Sequence, residues 1–333
     1  MAKMWHDDDV SLDPIKGETI AVIGYGIQGA AQASNLRDSG LKVVVGLREG
    51  GKSWAKAKSE GHKVASIADA VKKADIVHVL IPDMRQSQTF KEEIRPHLKK
   101  DMALSFSHGA AIHWKWIVAP KNVDVIMLAP KAPGQRVREL YLENFGTPAL
   151  VAVHQDATGR AWDRILAMAK GVGTTRAGVL ETTFREETET DWFGEQVDLC
   201  GGSHRMILSA FETLVEAGYS PEGAYFEVLH ELRLIVDLIQ RYGIAGMYRR
   251  VSETARYGGL TRGQVAIGPE VKRNMKKVLK EIQSGKFAKE WVSVYEKEGE
   301  KSFGKYMAEL DRHQIEVVGK KLRKMMWPND QVT

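Results

Sequence analysis

Four carboxylates in the second half of the chain have a spacing that suits a metal site. They form two pairs whose members are four residues apart: Asp191 with Glu195, and Glu227 with Glu231. Residues four apart lie on one face of a helix, one turn from each other, so two helices could present all four side chains to a shared space. The helix predicted around the second pair, residues 225–240, is apolar nearly all round. Buried carboxylates need a partner, and hard oxygen ligands suit Mg²⁺. Ion pairing with Arg233 or His230 is the alternative.

A glycine-rich stretch in the first half has the pattern of a dinucleotide-binding turn. It reads Gly24-Tyr25-Gly26-Ile27-Gln28-Gly29. The stretch follows a predicted strand and opens a predicted helix, so its backbone amides can approach a pyrophosphate at the helix N-terminus. A tight turn between strand and helix without a ligand is the alternative.

The loop after the second predicted strand bears on which dinucleotide would bind. It reads Leu47-Arg48-Glu49-Gly50-Gly51-Lys52-Ser53. An NAD site places an acid here, on the ribose hydroxyls, whereas Arg48, Lys52 and Ser53 suit a ribose phosphate. Glu49 could instead accept from a ribose hydroxyl. The loop favours NADPH over NADH, and a solvated basic loop is the alternative.

Three further loops follow predicted strands and carry polar groups. One holds Asp83, Met84, Arg85 and Gln86, the second holds His108, and the third holds Lys131 and Gly134. In such folds ligands bind at the carboxyl ends of the strands, so His108 could orient or transfer a proton near a nicotinamide. An exposed histidine and a surface lysine are the alternatives.

The pattern of elements predicts how these residues are positioned. Short β-branched runs alternate with helical stretches in the first half, at residues 19–23, 42–47, 76–81, 103–107 and 124–129 for the strands and 28–38 and 86–95 for the helices. This βαβ alternation predicts an α/β fold, a Rossmann-like, doubly wound parallel sheet.

Helical patterns take over after about Gly178, where the strand signal disappears. Long helices are predicted at residues 225–240, 273–283 and 305–324, so the second half is expected to be all-α. We predict a dinucleotide-binding domain over 1–182, a helical metal, substrate and dimerisation domain over 183–328, and a tail over 329–333.

Composition narrows the class of protein. The chain has 333 residues, 43% hydrophobic and 27% charged, with a net charge of +5 whose basic residues are scattered. This is typical of a globular protein and gives weak support for nucleic-acid binding. Cys200 is the single cysteine, so no disulfide can form within the chain. Without a signal peptide or a membrane-spanning run, we expect a cytoplasmic protein with a small-molecule substrate and no nucleic-acid or membrane partner.

Several motifs together give the chain a strong resemblance to the short class of ketol-acid reductoisomerases. The matching segments are GYG at 24–26, NLRDSG at 35–40, TTFREETETD at 182–191, FGEQ at 193–196, YFE at 225–227, LHEL at 229–232, IQSG at 282–285 and FAKEW at 287–291. The resemblance covers nearly the whole chain, and the two acidic motifs are its most specific part.

This resemblance implies a set of site residues. Asp191, Glu195, Glu227 and Glu231 would bind two Mg²⁺ ions, His108, Lys131 and Glu231 would act in catalysis, and Ser252 would hold the substrate carboxylate. Cofactor contacts would come from Tyr25, Gly26, Ile27, Gln28, Arg48, Ser53, Asp83, Met84, Arg85, Gln86 and Gly134. The family's helical domain is knotted and builds its sites with a partner subunit, which implies a homodimer or a larger assembly of dimers.

The implied reaction has two steps. Two Mg²⁺ ions would chelate the hydroxyl and carbonyl oxygens of acetolactate or acetohydroxybutyrate while an alkyl group migrates, and NADPH would then reduce the new ketone. Glu231 or a metal-bound hydroxide could accept the hydroxyl proton, and His108 and Lys131 would position the substrate or relay protons. Two other interpretations stay open: an NADP-dependent hydroxyacid dehydrogenase with a helical dimerisation domain, and a non-catalytic nucleotide sensor.

A few positions depart from the family pattern. Gly51 stands where many members have a serine for the ribose phosphate, so use of NADH beside NADPH is expected. Ala132 and Gln135 replace a glycine and a histidine, and Gly259 replaces an aspartate. None of these changes touches the four carboxylates.

Overall fold

A computed structural model describes residues 2–328 of the chain. The chain divides into two compact units, and the division falls between Thr190 and Asp191. The tail predicted for residues 329–333 lies outside the described residues.

The first unit is built on one nine-stranded sheet. Its strands are β1 (Met4–Trp5), β2 (Thr19–Ile23), β3 (Lys42–Gly46), β4 (Lys63–Ala65), β5 (Ile76–Val79), β6 (Ala103–Phe106), β7 (Asp124–Pro130), β8 (Ala149–Gln155) and β9 (Val179–Glu181). They lie in the order β1-β9-β8-β7-β6-β5-β2-β3-β4. The central strands are rich in Val, Ile and Ala and buried on both faces, as parallel strands covered by helices are.

The predicted fold class is confirmed, with differences in detail. The strands β2 to β7 pair in parallel, but β8 is antiparallel to β7 and β1 is antiparallel to β9. The sheet is therefore mixed. The strand pattern also continues past Gly178 in β9, contrary to the prediction, because a strand of three residues is too short to show a period.

Among the described residues, eight α-helices belong to the first unit or begin in it. They are α1 (Ile27–Asp38), α2 (Lys52–Ser59), α3 (Ile67–Lys72), α4 (Asp83–Thr89), α5 (Ala110–His113), α6 (Gly134–Leu142), α7 (Ala161–Val172) and α8 (Phe184–Gly194). Helix α8 runs across the division between the two units.

The second unit is helical, as predicted. Its helices are α9 (Gly201–Glu216), α10 (Pro221–Tyr225), α11 (Glu231–Tyr248), α12 (Glu253–Ala266), α13 (Pro269–Gln283), α14 (Lys286–Glu298), α15 (Gly304–Arg312) and α16 (Gln314–Met326). The single helix predicted over 305–324 is wrong. It divides at His313, whose backbone is extended and whose ring accepts the amide of Ile315 at 3.2 Å, capping α16.

The second unit leaves much apolar surface exposed in the single chain. Its main buried cluster holds seven side chains: Leu208, Phe211, Ala224, Tyr225, Ile315, Val318 and Leu322. On α11, by contrast, Leu234 is 55% exposed and Ile244 is 66% exposed. The helix around Glu227 thus has apolar residues that this small core does not cover. Among residues 2–328, no helix has the length and apolar character to cross a membrane.

Candidate functional site

The glycine turn between β2 and α1 gives each glycine a separate role. Gly24 has φ +106°, and a side-chain carbon there would lie 2.6 Å from the carbonyl oxygen of Leu80. A side-chain carbon at Gly29 would lie 2.4 Å from the carbonyl oxygen of Gly24. Gly26 has nothing within 4 Å of the same position. The first and third glycines are therefore required by the protein's own packing, and the middle one leaves space for a ligand.

Two helix N-termini meet at this turn. A side-chain carbon at Gly134, the first residue of α6, would lie 2.2 Å from the carbonyl oxygen of Ile27, the first residue of α1. Gln28 also donates to the carbonyl oxygen of Ala132 at 2.9 Å. The positive ends of both helix dipoles therefore lie close together, which favours an anion such as a pyrophosphate.

Two side chains predicted to contact the cofactor are turned into the protein. Tyr25 is 3% exposed and donates to Glu60, and burial together with this acceptor raises the pKa of Tyr25 to about 12. Gln86 is buried and donates to the carbonyl oxygen of Ile81 at 3.0 Å and to Asp83 at 2.9 Å. Any cofactor contact by Tyr25 would come from its backbone, and Gln86 holds the first turn of α4.

The loop after β3 leads into the N-terminus of α2. Arg48 is exposed, and its carbonyl oxygen accepts the amide of Gly51 at 3.2 Å. Gly51 is the N-cap of α2 and offers no side-chain acceptor. Ser53 lies half-buried in the first turn. This helix end and the adjacent cation have the chemistry to bind a phosphate.

A buried carboxylate joins two of the predicted catalytic residues. Glu187 has a side chain that is 1% exposed; it accepts from Lys131 at 2.9 Å and from the amide of Gly109 at 2.8 Å. The Nδ1 atom of His108 lies 3.0 Å from the carboxylate oxygen of Glu187 that also accepts from Gly109. Burial alone would raise the pKa of Glu187, but the hydrogen bond and charge of His108 and the charge of Lys131 lower it to about 2. Glu187 is therefore an anion that holds both residues.

Three elements bring this cluster together. His108 follows β6, Lys131 follows β7, and Glu187 lies in α8. A side-chain carbon at Gly109 would be 2.4 Å from the carbonyl oxygen of Phe184, so a glycine is needed where α8 approaches the loop. Glu187 was not among the predicted site residues. The signal that points to it is the series 187, 191 and 195, three acids each four residues apart.

The predicted metal ligands lie at unusual helical turns. A π-helical turn spans Glu195–Leu199 and another spans Phe226–His230, the second containing Glu227 and ending just before Glu231. In a π-turn each hydrogen bond spans five residues rather than four, so residues four apart lie more nearly in line, and such turns are frequent at functional sites.

These carboxylates are accessible but not gathered in one chain. Asp191 is half-buried, whereas Glu195, Glu227 and Glu231 are exposed, contrary to the burial predicted for the second pair. No three of the four come within a common ligand distance among residues 2–328. Their oxygen donors fit Mg²⁺.

Ser252 occupies a helix terminus. It is the N-cap of α12, and its hydroxyl oxygen accepts the amide of Ala255 at 3.1 Å. The side chain is exposed, and its hydroxyl proton can still be donated to an anion.

The open glycine turn on a Rossmann-like sheet, followed by a helical unit that carries two pairs of carboxylates, is typical of a nucleotide-dependent oxidoreductase with a helical C-terminal domain. Residues 14–178 match the profile of the acetohydroxy acid isomeroreductase NADPH-binding domain, and residues 184–327 match the ketol-acid reductoisomerase C-terminal domain. The chain belongs to the ketol-acid reductoisomerase family, a family of enzymes, and the resemblance drawn from its motifs is confirmed.

Individual relatives are similar over nearly their whole length. The ketol-acid reductoisomerase (NADP(+)) of Cenarchaeum symbiosum (strain A) is 67% identical over 329 residues, 99% of each chain. That of Methanopyrus kandleri is 59% identical over 326 residues, 98% of this chain and 99% of its own. A solved structure of an NADH-preferring ketol-acid reductoisomerase from an uncultured archean is 49% identical, with a TM-score of 0.94 over 97% of this chain and 98% of that one.

Proposed function

We propose that this chain converts 2-acetolactate and 2-aceto-2-hydroxybutyrate to 2,3-dihydroxy-3-methyl acids in valine, isoleucine and leucine biosynthesis. An alkyl group migrates to the neighbouring carbon, and the resulting ketone is reduced at the expense of NADPH and one proton. The observation that carries the proposal is the buried Glu187, which holds His108 and Lys131 at the carboxyl edge of a dinucleotide-binding sheet. Family membership supports the same reaction.

The first unit would bind the cofactor. Amides of Gly26, Ile27 and Gln28 would meet the pyrophosphate at the paired helix ends, and Arg48 and Ser53 would meet the ribose phosphate. NADPH supplies the hydride when bound. NADH use is expected as well, because Gly51 offers no hydroxyl to the phosphate.

The Glu187 cluster would orient the substrate and handle protons. A hydrogen bond from Nδ1 of His108 to Glu187 would fix the ring and leave Nε2 as the nitrogen that exchanges a proton with the substrate. Lys131 keeps its ammonium group beside the same anion, where it can stabilise negative charge on a substrate oxygen. Ser252 would donate to the substrate carboxylate, and Glu231 would accept the proton of the substrate hydroxyl.

The metal would be held by Asp191, Glu195, Glu227 and Glu231. Two bound Mg²⁺ ions supply Lewis-acid polarisation of the substrate's hydroxyl and carbonyl oxygens. The four carboxylates do not converge among residues 2–328 of one chain, which supports a contribution to the set from a second copy.

A homodimer, or a larger assembly of dimers, follows from the same unit. Leu234, Val236 and Ile244 on α11 are 50% to 66% exposed. The first two lie in the helical segment that Glu231 begins, and Ile244 follows the break in α11 at Gly243. Apolar exposure of this extent marks an interface. Sedimentation analysis is expected to give at least a dimer, and a stable, active monomer would overturn this part of the proposal.

The reaction is tested by NADPH oxidation with acetolactate, with and without Mg²⁺. We expect turnover only with Mg²⁺ and a product that carries the migrated alkyl group. The rearranged 3-hydroxy-2-keto acid, offered as a second substrate, separates reduction from migration. Failure to oxidise NADPH with acetolactate at saturating Mg²⁺ would reject the function. Mg²⁺-independent reduction of simple 2-keto acids would favour a hydroxyacid dehydrogenase instead.

A further inference from the structure

A group of buried polar side chains lies inside the first unit and has no part in the function described above. Gln32 on α1, His78 on β5 and Ser105 on β6 are all 0% exposed. The strand that carries His78 otherwise reads Ile-Val and Val. Polar groups in so dry a position are costly unless each is hydrogen-bonded.

These side chains form one continuous chain of hydrogen bonds. Nδ1 of His78 lies 2.9 Å from the hydroxyl of Ser105, and Nε2 lies 2.9 Å from the amide oxygen of Gln32. The amide nitrogen of Gln32 donates to Gln28 at 3.1 Å and to the hydroxyl of Ser107 at 3.0 Å. The amide of Gln28 continues the chain to the carbonyl oxygen of Ala132 at 2.9 Å.

The direction of every bond in this chain is fixed. Burial lowers the pKa of His78 to about 4, so its ring is neutral near neutral pH. The amide oxygen of Gln32 can only accept, so Nε2 of His78 carries the proton and Nδ1 accepts from Ser105. Both protons on the amide nitrogen of Gln32 are then used by its other two partners.

The two ends of this series of hydrogen bonds reach the loops that carry the site residues. Gln28 belongs to the glycine turn of residues 24–29, which we call the nucleotide turn. Ser107 directly precedes His108, and Ala132 directly follows Lys131. We propose that Gln32, held in orientation by His78, is a positioning residue that keeps the nucleotide turn in register with the loops of His108 and Lys131. This proposal rests on the proposed function for the identity of the reaction, but the contacts themselves do not depend on it.

Apolar side chains in place of Gln32 and His78 would fill the same space without fixing this geometry. Replacing buried polar groups by apolar ones of similar shape is often neutral for stability, whereas a satisfied polar network admits one arrangement. The network therefore specifies the relative placement of three loops more than it stabilises the fold. Displacements of about 1 Å at such loops are enough to slow catalysis by as much as about a hundredfold.

The test compares Gln32→Met with a control in a second buried network of the same sheet. Methionine keeps the length of the side chain and removes all of its hydrogen bonds. In the control, Thr158→Val removes the 2.7 Å bond from Thr158 to the fully buried Asp124, which begins β7 at the end opposite Lys131. Ser107→Ala is a milder second variant, which removes one acceptor of Gln32 and keeps the assay informative if Gln32→Met does not fold.

Three quantities are measured for each variant: thermal stability, the dissociation constant of NADPH, and kcat with acetolactate at saturating NADPH and Mg²⁺. For Gln32→Met we expect about a fivefold weaker NADPH complex and about a tenfold lower kcat, from three lost bonds and a shifted loop. Ser107→Ala is expected to show smaller changes of the same sign. Thr158→Val is expected to lower stability and leave both functional quantities within about twofold.

The outcomes separate this proposal from the proposed function. If the wild-type protein does not turn over acetolactate, the function fails, and NADPH binding still tests the positioning role. If the wild type is active and folded Gln32→Met and Ser107→Ala behave like Thr158→Val, Gln32 is structural only and the proposal is wrong.

Discussion

The Glu187→Gln substitution is the sharpest test of the site. Glu187 is nearly fully buried and serves three donors: Lys131, His108 and the amide of Gly109. Glutamine has the same shape but only one acceptor oxygen, and its nitrogen would face at least one of these donors. The variant removes the anion while leaving the packing of α8 unchanged.

The expected fall in kcat is estimated from the electrostatics of the Glu187 carboxylate. Burial opposes the charge, yet His108 and Lys131 bring the pKa of Glu187 from 4.5 to about 2. A difference of this size corresponds to about 3 kcal/mol in favour of the ionised form. If the anion is what holds His108 and Lys131 in place during the reaction, its loss is expected to lower kcat by about a hundredfold.

The assay measures kcat with acetolactate and, separately, the dissociation constant of NADPH. We expect the first to fall and the second to change by less than about twofold, because Glu187 does not contact the nucleotide turn. Glu189→Gln is a matched control: Glu189 is also buried in α8, and its carboxylate lies 2.8 Å from Arg185 and 3.6 Å from His113. A folded Glu187→Gln enzyme with kcat within about threefold of wild type would refute the reasoning.

Four further results are expected. Ser252→Ala and Ser220→Ala each remove a helix N-cap and about 1 kcal/mol of stability, but only Ser252→Ala raises KM for acetolactate. Gly51→Ser adds a hydroxyl at the N-terminus of α2 and raises the preference for NADPH over NADH, measured as the ratio of kcat/KM values, by about tenfold; an unchanged ratio contradicts our description of this loop. Asp191→Asn, or removal of Mg²⁺ by chelation, abolishes conversion of acetolactate while NADPH still binds; retained turnover would return Asp191 to an ordinary ion pair. His78 takes up its proton near pH 6.5 in the unfolded chain and near pH 4 in the folded chain. Lowering the pH from 6.5 to 4 is therefore expected to reduce the free energy of unfolding of the wild type by about 3 kcal/mol through His78, and His78→Gln does not show this loss. Urea unfolding of both proteins at the two pH values measures the difference.

The central strands could be predicted because each is a single segment of sequence whose apolar residues indicate burial. Residues 125–129 read Val-Ile-Met-Leu-Ala, a continuous apolar run that suits a strand covered on both faces. The edge strand β1 has two residues and its neighbour β9 has three; they form because β1 pairs with β9 and β9 pairs with β8. That pairing joins residues far apart in the sequence, so no local pattern predicts these two strands. The break at His313 was missed for a similar reason, since the apolar period continues across it.

The candidate site was predicted unevenly, and the reason is again the range of the interactions. The glycine turn and the acid pairs have fixed local spacings, which single segments reveal. The partners of Gln32 lie 46 and 75 residues away, at His78 and Ser107. A lone histidine in an apolar strand signals a buried polar contact but not its partner. Glu187 lay inside a recognised motif, yet its role depends on loops after β6 and β7.

The two units differ in whether their site residues are buried and hydrogen-bonded within a single chain. In the first unit the Glu187 cluster and the network around Gln32 are buried and bonded, so their geometry is set by folding. In the second, Glu227 and Glu231 are exposed in or beside a π-turn of a helix that also exposes Leu234 and Val236. Covering those apolar side chains with a second copy would bury the same stretch of helix that carries the carboxylates. Association and metal binding should therefore be coupled, so that whatever strengthens one strengthens the other.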